Sequence, residues 1–362
     1  ITPNPLAAGI PTGGDPILWS HSGSNVLIGA LGDGTEILRV TLLDGTVGDG
    51  QGSYSVTLSG PIDHPFHGTS AADEDVVTLQ FPVTVSDGQG GSDTATFTVG
   101  IEDDSPELEV SLGEGGTRGL TLNLDETVQP DGGSNAAYDR YNSGESESAP
   151  GTSNGGVDDV GGPATYNRTP VLSTNPSAAS AIGHLATASG AFAGLFDESP
   201  SYGADGQGAA PIYAFGLSLS VDGLATNLTA TGATILPGLT TLQRAISLYA
   251  VSDTVIEGRI AGNDPSHQYV AFRITIENPG DPATAHLVVD QFLPIDHGGS
   301  ESPSVLDEVI SLLTPSGSLS LNETVTITDG DGDTKTDTSS ATLIGSQGSV
   351  ISFDDDGPRV SV

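Results

Sequence analysis

Runs of Val, Thr, Ile, Leu and Phe alternate with polar residues along most of the chain, as in Val76–Val85, Thr94–Val99 and Val270–Ile276. A period of two with β-branched enrichment, bounded by Asp-Gly and Asn-Pro-Gly turns, predicts β-strands. Many short strands joined by Gly-rich turns predict an all-β chain with little helix, built as β-sandwiches. Helical signals are scarce. Ser304–Leu313 fits a short helix or a strand, and Ala178–Ala193 is rich enough in small residues for a helical turn or two.

The pattern repeats. Pro61-Ile62-Asp63-His64 follows one predicted strand, and Pro294-Ile295-Asp296-His297 follows another. An acidic pair comes next in each copy, Asp73-Glu74 and Asp307-Glu308. Then come a strand and an Asp-Gly turn, beginning at Asp87 in one copy and at Asp329 in the other. Each copy closes on an acidic seam, Glu102-Asp103-Asp104 and Asp354-Asp355-Asp356. Self-similarity on this scale reads as tandem modules. Residues 1–105 are then the latter part of a truncated first module. Residues 106–357 form a complete second module, and residues 358–362 open the next. The region 107–245 has no counterpart in the first copy, so a division near 245 into two sandwiches stays open beside a single large one. Residues 130–176 form a Gly/Ser-rich insertion, which at that length is expected to be functional or poorly ordered.

Charge narrows the partners. Lys and Arg number 9 against 47 Asp and Glu, for a net charge of −38. Nucleic acid is excluded as a partner, because its recognition rests on Lys and Arg neutralising phosphates. An anionic membrane surface is disfavoured for the same reason, and no run of 18 apolar residues suggests insertion. Cations are the expected partners. Cysteine is absent, so a metal ion is the natural cross-link in place of disulfides. Methionine is absent too, as expected of a processed chain or a piece of a longer one.

The strongest chemical signal is Asp329-Gly330-Asp331-Gly332-Asp333. Alternate carboxylates on a Gly-rich turn can converge on one centre, and calcium takes about six to eight oxygens. The turn resembles the start of an EF-hand loop. Position 12 is Ser340 rather than Glu, so a calcium loop in a β-context is the better reading. Asp87 opens the matching turn of the first copy. The seams add Asp103 and Asp104, then Asp354, Asp355 and Asp356, with Asp125 and Glu126 soon after the first seam. Adjacent carboxylates repel unless a cation sits between them, so seam calcium would stiffen a joint. His64 and His297 recur at one place in two copies, which points to a structural hydrogen bond at a turn. Trp19 has a counterpart at Tyr249 and reads as a packing residue, whereas Tyr138 and Tyr141 lie in the insertion. No nucleophile elbow, zinc-protease, Walker or dinucleotide motif is present, so no enzyme is expected.

Four segments together carry a resemblance. Leu124-Asp125-Glu126-Thr127, Gly203-Ala204-Asp205-Gly206, Thr328–Asp333 and Phe353–Pro358 are similar to the long tandem repeats of giant RTX adhesins exported by type I secretion. The likeness is best over 200–362 and looser over 1–106, where Asp87-Gly88-Gln89-Gly90-Gly91 replaces the acidic turn. It implies Ig-like β-sandwich modules rigidified by Ca2+ on the bacterial cell surface, in an extracellular protein of adhesion or biofilm formation. Neighbouring repeats of the same chain and a cell-surface glycan or protein are the implied partners. Three functions follow as expectations: a calcium-stiffened extender, a ligand-binding adhesin module with its site in 130–210, and a self-assembling filament or surface-layer repeat.

Overall fold

In the computed structural model the regular structure of the described residues is almost all β-strand, as the alternation predicts. The structure describes residues 1, 11–12, 14–43, 53–64, 76–125, 172–231, 236, 238–261, 268–298 and 309–354. The first strands are β1 (Pro11–Thr12), β2 (Asp15–Pro16), β3 (Leu18–Ser20), β4 (Val26–Ala30), β5 (Glu36–Leu43), β6 (Ser53–Leu58), β7 (Val76–Ser86) and β8 (Ser92–Glu102). Next come β9 (Glu107–Leu112), β10 (Leu122–Asp125), β11 (Gly183–Ala186), β12 (Phe196–Ser201), β13 (Gln207–Leu219), β14 (Leu224–Thr229) and β15 (Ala245–Ser252). The last are β16 (Val255–Ile260), β17 (Tyr269–Glu277), β18 (His286–Gln291), β19 (Ile310–Ser311), β20 (Leu319–Asp329), β21 (Thr334–Ile344) and β22 (Ile351–Asp354).

The chain forms two compact units. The first holds residues 1–109, 198–212 and 325–337; the second holds 110–197, 213–324 and 338–362. Two stretches from beyond residue 106 therefore belong to the first unit.

In the first unit β3-β4-β5-β6 form an antiparallel meander, and β7 and β8 form a hairpin of two 11-residue strands. Their apolar faces meet in one core of Ile17, Leu27, Leu38, Val40, Leu79 and Phe81, which makes a two-layer sandwich. Trp19 meets Phe81 edge-on at 5.9 Å, so its indole serves the core. Ile62, 3% exposed, seats the segment that carries His64.

In the second unit a six-stranded sheet runs β11-β18-β17-β16-β15-β14. Its β15–β18 meander has the same antiparallel order as β3–β6. Each meander is followed by Pro-Ile-Asp-His, so the sequence repeat is also a repeat of architecture. A second layer, β10-β22-β19, brings Phe353 against Phe272 at 5.4 Å. The opposite face of the six-stranded sheet carries a row of polar residues in register: His184, Asp290, Arg273, Glu257 and Tyr249 on five successive strands. Glu257, 4% exposed, bonds both Arg259 and Arg273 at 2.7 Å. Its burial is thus compensated by two cations.

Among the described residues the one α-helix is a single turn, Thr241–Arg244 (α1), closed by a Thr240/Gln243 capping box. Of the segments with helical signals, Ala178–Ser180 forms one 3-10 turn and Ile310–Ser311 is strand; residues 301–308 lie outside the described residues. So does nearly all of the 130–176 insertion. Among the described residues no helix is long and apolar enough to cross a membrane.

Candidate metal centre

Four segments of the first unit converge on one acidic cluster. The segment after β6 brings His64, and the end of β8 brings Asp103 and Asp104. The turn between β12 and β13 brings Asp205, and the β20–β21 turn brings Asp329, Asp331 and Asp333. Local chemistry shapes each segment before any ion is considered. The Asp329 amide donates to the Asp333 carbonyl at 3.0 Å. Asp329 Oδ1 accepts from the amides of Gly332 at 3.1 Å and Asp333 at 2.7 Å. One oxygen of this carboxylate ties the turn, and the other is left for a ligand. Asp104 does the same across the chain: its Oδ2 accepts the Ala204 amide at 2.7 Å. The two turns then meet backbone to backbone. A Cβ on Gly208 would collide with the Asp329 carbonyl, and one on Gly330 with the Asp205 carbonyl, so glycine is required at both places.

Three groups of ligand atoms each lie within 4.8 Å of one another: His64, Asp103 and Asp331; Asp103, Asp104 and Asp205; Asp329, Asp331 and Asp333. Asp103 and Asp331 each belong to two groups. Asp103, Asp329 and Asp333 are buried, at 6%, 1% and 1% exposure. Asp103 Oδ2, Asp329 Oδ2 and Asp331 Oδ1 are buried with no hydrogen-bond donor. A buried carboxylate oxygen without a donor costs free energy. Two carboxylates about 5 Å apart repel by roughly 3 kcal/mol at an effective dielectric near 20.

The protonation equilibria report the same conflict. Burial, followed by a hydrogen bond and repulsion from Asp331, pushes the Asp329 carboxyl up to about 7. Burial, then Asp331 and Asp104, pushes Asp205 up to about 7. Asp103 rises to about 6 through burial and the nearby Asp331 and Asp333, against the opposing pull of His64. Protons or a cation must offset this repulsion. Two of the three groups offer carboxylate oxygen alone, a donor set that fits calcium.

Of the residues singled out by sequence, Asp103, Asp104, Asp329, Asp331 and Asp333 are brought together. Asp87 stands apart from the three groups. Its Oδ1 accepts the amides of Gln89 at 2.8 Å and Gly91 at 3.0 Å, which holds its carboxyl below the usual range. The two turns are the same device, since the Asp87 amide bonds the Gly91 carbonyl as Asp329 bonds Asp333. Gln89 and Gly91 stand where Asp331 and Asp333 carry their carboxylates. Asp125 and Asp354 are register partners on the parallel pair β10–β22. Glu126, Asp355 and Asp356 lie outside the described residues.

Sequence reasoning missed two members. Asp205 was present in the Gly-Ala-Asp-Gly signal, without its partners. His64 reads as a turn residue, and its ring does bond a backbone carbonyl, with Nε2 3.1 Å from Ile101 O. Its other nitrogen, Nδ1, lies 3.2 Å from Asp103 Oδ1.

Residues 172–341, which include Asp205 and the Asp329–Asp333 turn, match the family model of a domain of unknown function (DUF5801). No curated protein and no solved structure matches the chain.

Proposed function

We propose that this chain is a calcium-stiffened, non-catalytic segment of a large secreted bacterial surface protein, serving extension or adhesion. The supporting observation is the convergence of six aspartates from three distant segments, with buried oxygens that lack donors. An ion there ties residue 64 to residue 331, 267 positions away, and residue 104 to residue 204. It takes the part that disulfides play in cysteine-bearing extracellular domains. The carboxylates serve this role better than acid catalysis, because Asp103, Asp104 and Asp329 each spend one oxygen on a backbone amide.

The test is thermal unfolding with small-angle scattering, in calcium and in calcium-free buffer. Calcium at about a hundred times its dissociation constant stabilises by about 3 kcal/mol, a rise on the order of 5–10 °C. The same Tm and the same scattering curve in both buffers would defeat the proposal.

A second reading, a ligand-binding module, draws on a cavity of about 580 Å³ in the second unit. Tyr213, Phe215, Asp253, Asn322 and Thr324 line it, a mix of ring and polar groups suited to a sugar or peptide. Tyr213→Ala abolishing retention on a glycan or peptide array would favour this reading over the extender.

A further inference from the structure

The acidic cluster holds positions of two chemical kinds. Two of its three ligand groups offer oxygen alone; the third offers the His64 imidazole with Asp103 and Asp331. We infer that this third position takes a zinc-like late first-row divalent ion rather than calcium. The inference rests on the same cluster as the calcium reading but predicts a different ion at a distinct position.

The ring geometry carries the argument. His64 is 5% exposed, and its Nε2 faces the Ile101 carbonyl at 3.1 Å, an acceptor that requires hydrogen on that nitrogen. In the neutral ring Nδ1 is therefore a lone pair. It points at the Asp103 carboxylate, 3.2 Å away, where two acceptors face each other. Something positive must lie between them. Asp103 Oδ2 and Asp331 Oδ1 are buried and without donors, and their carboxylates belong to the same ligand group as His64. The Asp331 carboxylate is held there by the His64 amide, which donates to Oδ2 at 3.3 Å. A backbone carbonyl on the far ring nitrogen is the usual partner of a metal-bound histidine, because it fixes the tautomer. Calcium selects oxygen, whereas imidazole suits zinc, nickel and copper. One imidazole and two carboxylates form a three-ligand set that leaves a place for water.

The rival occupant is a proton, giving an imidazolium paired with Asp103. Imidazole 15N spectra of the intact chain, titrated with zinc in the presence of millimolar calcium, separate the two. Of the signals from seven histidines, His64→Gln assigns the one that matters by its disappearance. The expected result is a shift of the His64 Nδ1 signal that saturates at one equivalent, with Nε2 remaining protonated. By calorimetry, His64→Gln should weaken zinc binding by about tenfold or more, since even outer-shell changes at metal sites cost that much. His297→Gln, at the equivalent place in the second copy, should not. A His64 ring protonated on both nitrogens and unmoved by zinc overturns the inference, as does zinc binding that His64→Gln leaves unchanged. Neither result touches the calcium reading, which stands or falls on the calcium-dependent Tm.

Discussion

Asp331 shares two of the three ligand groups, so its charge acts at more than one position. Asp87 opens the matching turn of the first repeat but spends its carboxylate on the amides of Gln89 and Gly91. The two residues make a controlled pair. Asp331→Asn should remove more than half of the Tm rise produced by calcium. Asp87→Asn should leave that rise intact and lower Tm equally with and without the ion. What it loses is the charge assistance of its bonds to the Gln89 and Gly91 amides. Thermal melts of both variants in both buffers check this, and an equal calcium response in wild type and Asp331→Asn would place the ion elsewhere. Residue identity separates the turn that offers three carboxylates to one centre from the turn that only caps itself. Gln89 for Asp331 and Gly91 for Asp333 delete two carboxylates without altering the backbone hydrogen bond that closes the turn.

Strands were legible from sequence because their signal is local. β20 alternates buried and half-buried residues over its whole length, as its alternating Leu, Val and Ile against Ser, Asn and Thr require. The repeat was legible for the same reason, since each Pro-Ile-Asp-His follows a meander of one order. The cluster was only half legible. Asp329, Asp331 and Asp333 announce themselves, but Asp205 and His64 join them through the approach of elements far apart in the chain. That approach depends on bare backbone. Gly208→Ala should drive the 203–208 turn from Asp329 and cost about 3 kcal/mol or more, because a main-chain carbonyl cannot yield as a side chain does. Urea unfolding in calcium measures it; a loss under 1 kcal/mol, at the low end of overpacking costs, would mean the turns are not held together. The charged row on the six-stranded sheet leaves no mark in any one strand's pattern, because Arg273, Glu257 and Arg259 occupy the polar half of the alternation and meet only across strands. Its members make sense only in register. Glu257→Ala should cost about 1–3 kcal/mol in urea unfolding, because it leaves two half-buried guanidiniums without their shared carboxylate. At the end of the row, a hydrogen bond to Asp290 raises the His184 pKa. That stabilisation is present below the ordinary histidine value and is lost as pH rises through the raised one. His184→Gln should therefore flatten the stability profile, followed by thermal melts, from the ordinary histidine value upward.

At the scale of the molecule, a chain of net charge −38 has gathered six carboxylates into a largely buried cluster. Folding without an ion must therefore keep protons there. Asp103 titrates near 6, and Asp205 and Asp329 near 7, all above the ordinary aspartate value of 3.8. Between that value and 7 the folded chain binds more protons than the unfolded one. The slope of stability against pH follows the difference in bound protons, so ion-free stability falls as pH rises through this window. Above it the loss is complete and the profile levels. Calcium reverses the sign of the problem, since it replaces protons that are leaving anyway, and its stabilisation should grow across the same window. Melting curves of dialysed, calcium-free protein from about pH 4 to about pH 8, beside the same series in calcium, test both statements. General repulsion of the remaining acids also lowers stability as pH rises, so one further variant is needed. Asp205→Asn removes a single titrating group, and its calcium-free slope should be shallower by up to about 1.4 kcal/mol per pH unit, the weight of one proton. An unchanged slope would assign the pH dependence to surface charge and leave the cluster no part in it. A shallower slope together with a smaller calcium response would identify the same carboxylates as the holders of both proton and ion. In the chain-entropy account a link closing about 100 residues contributes about 5 kcal/mol. An ion bound by Asp104 and Asp205, across just such a span, would then be enough to decide whether this acidic chain is folded.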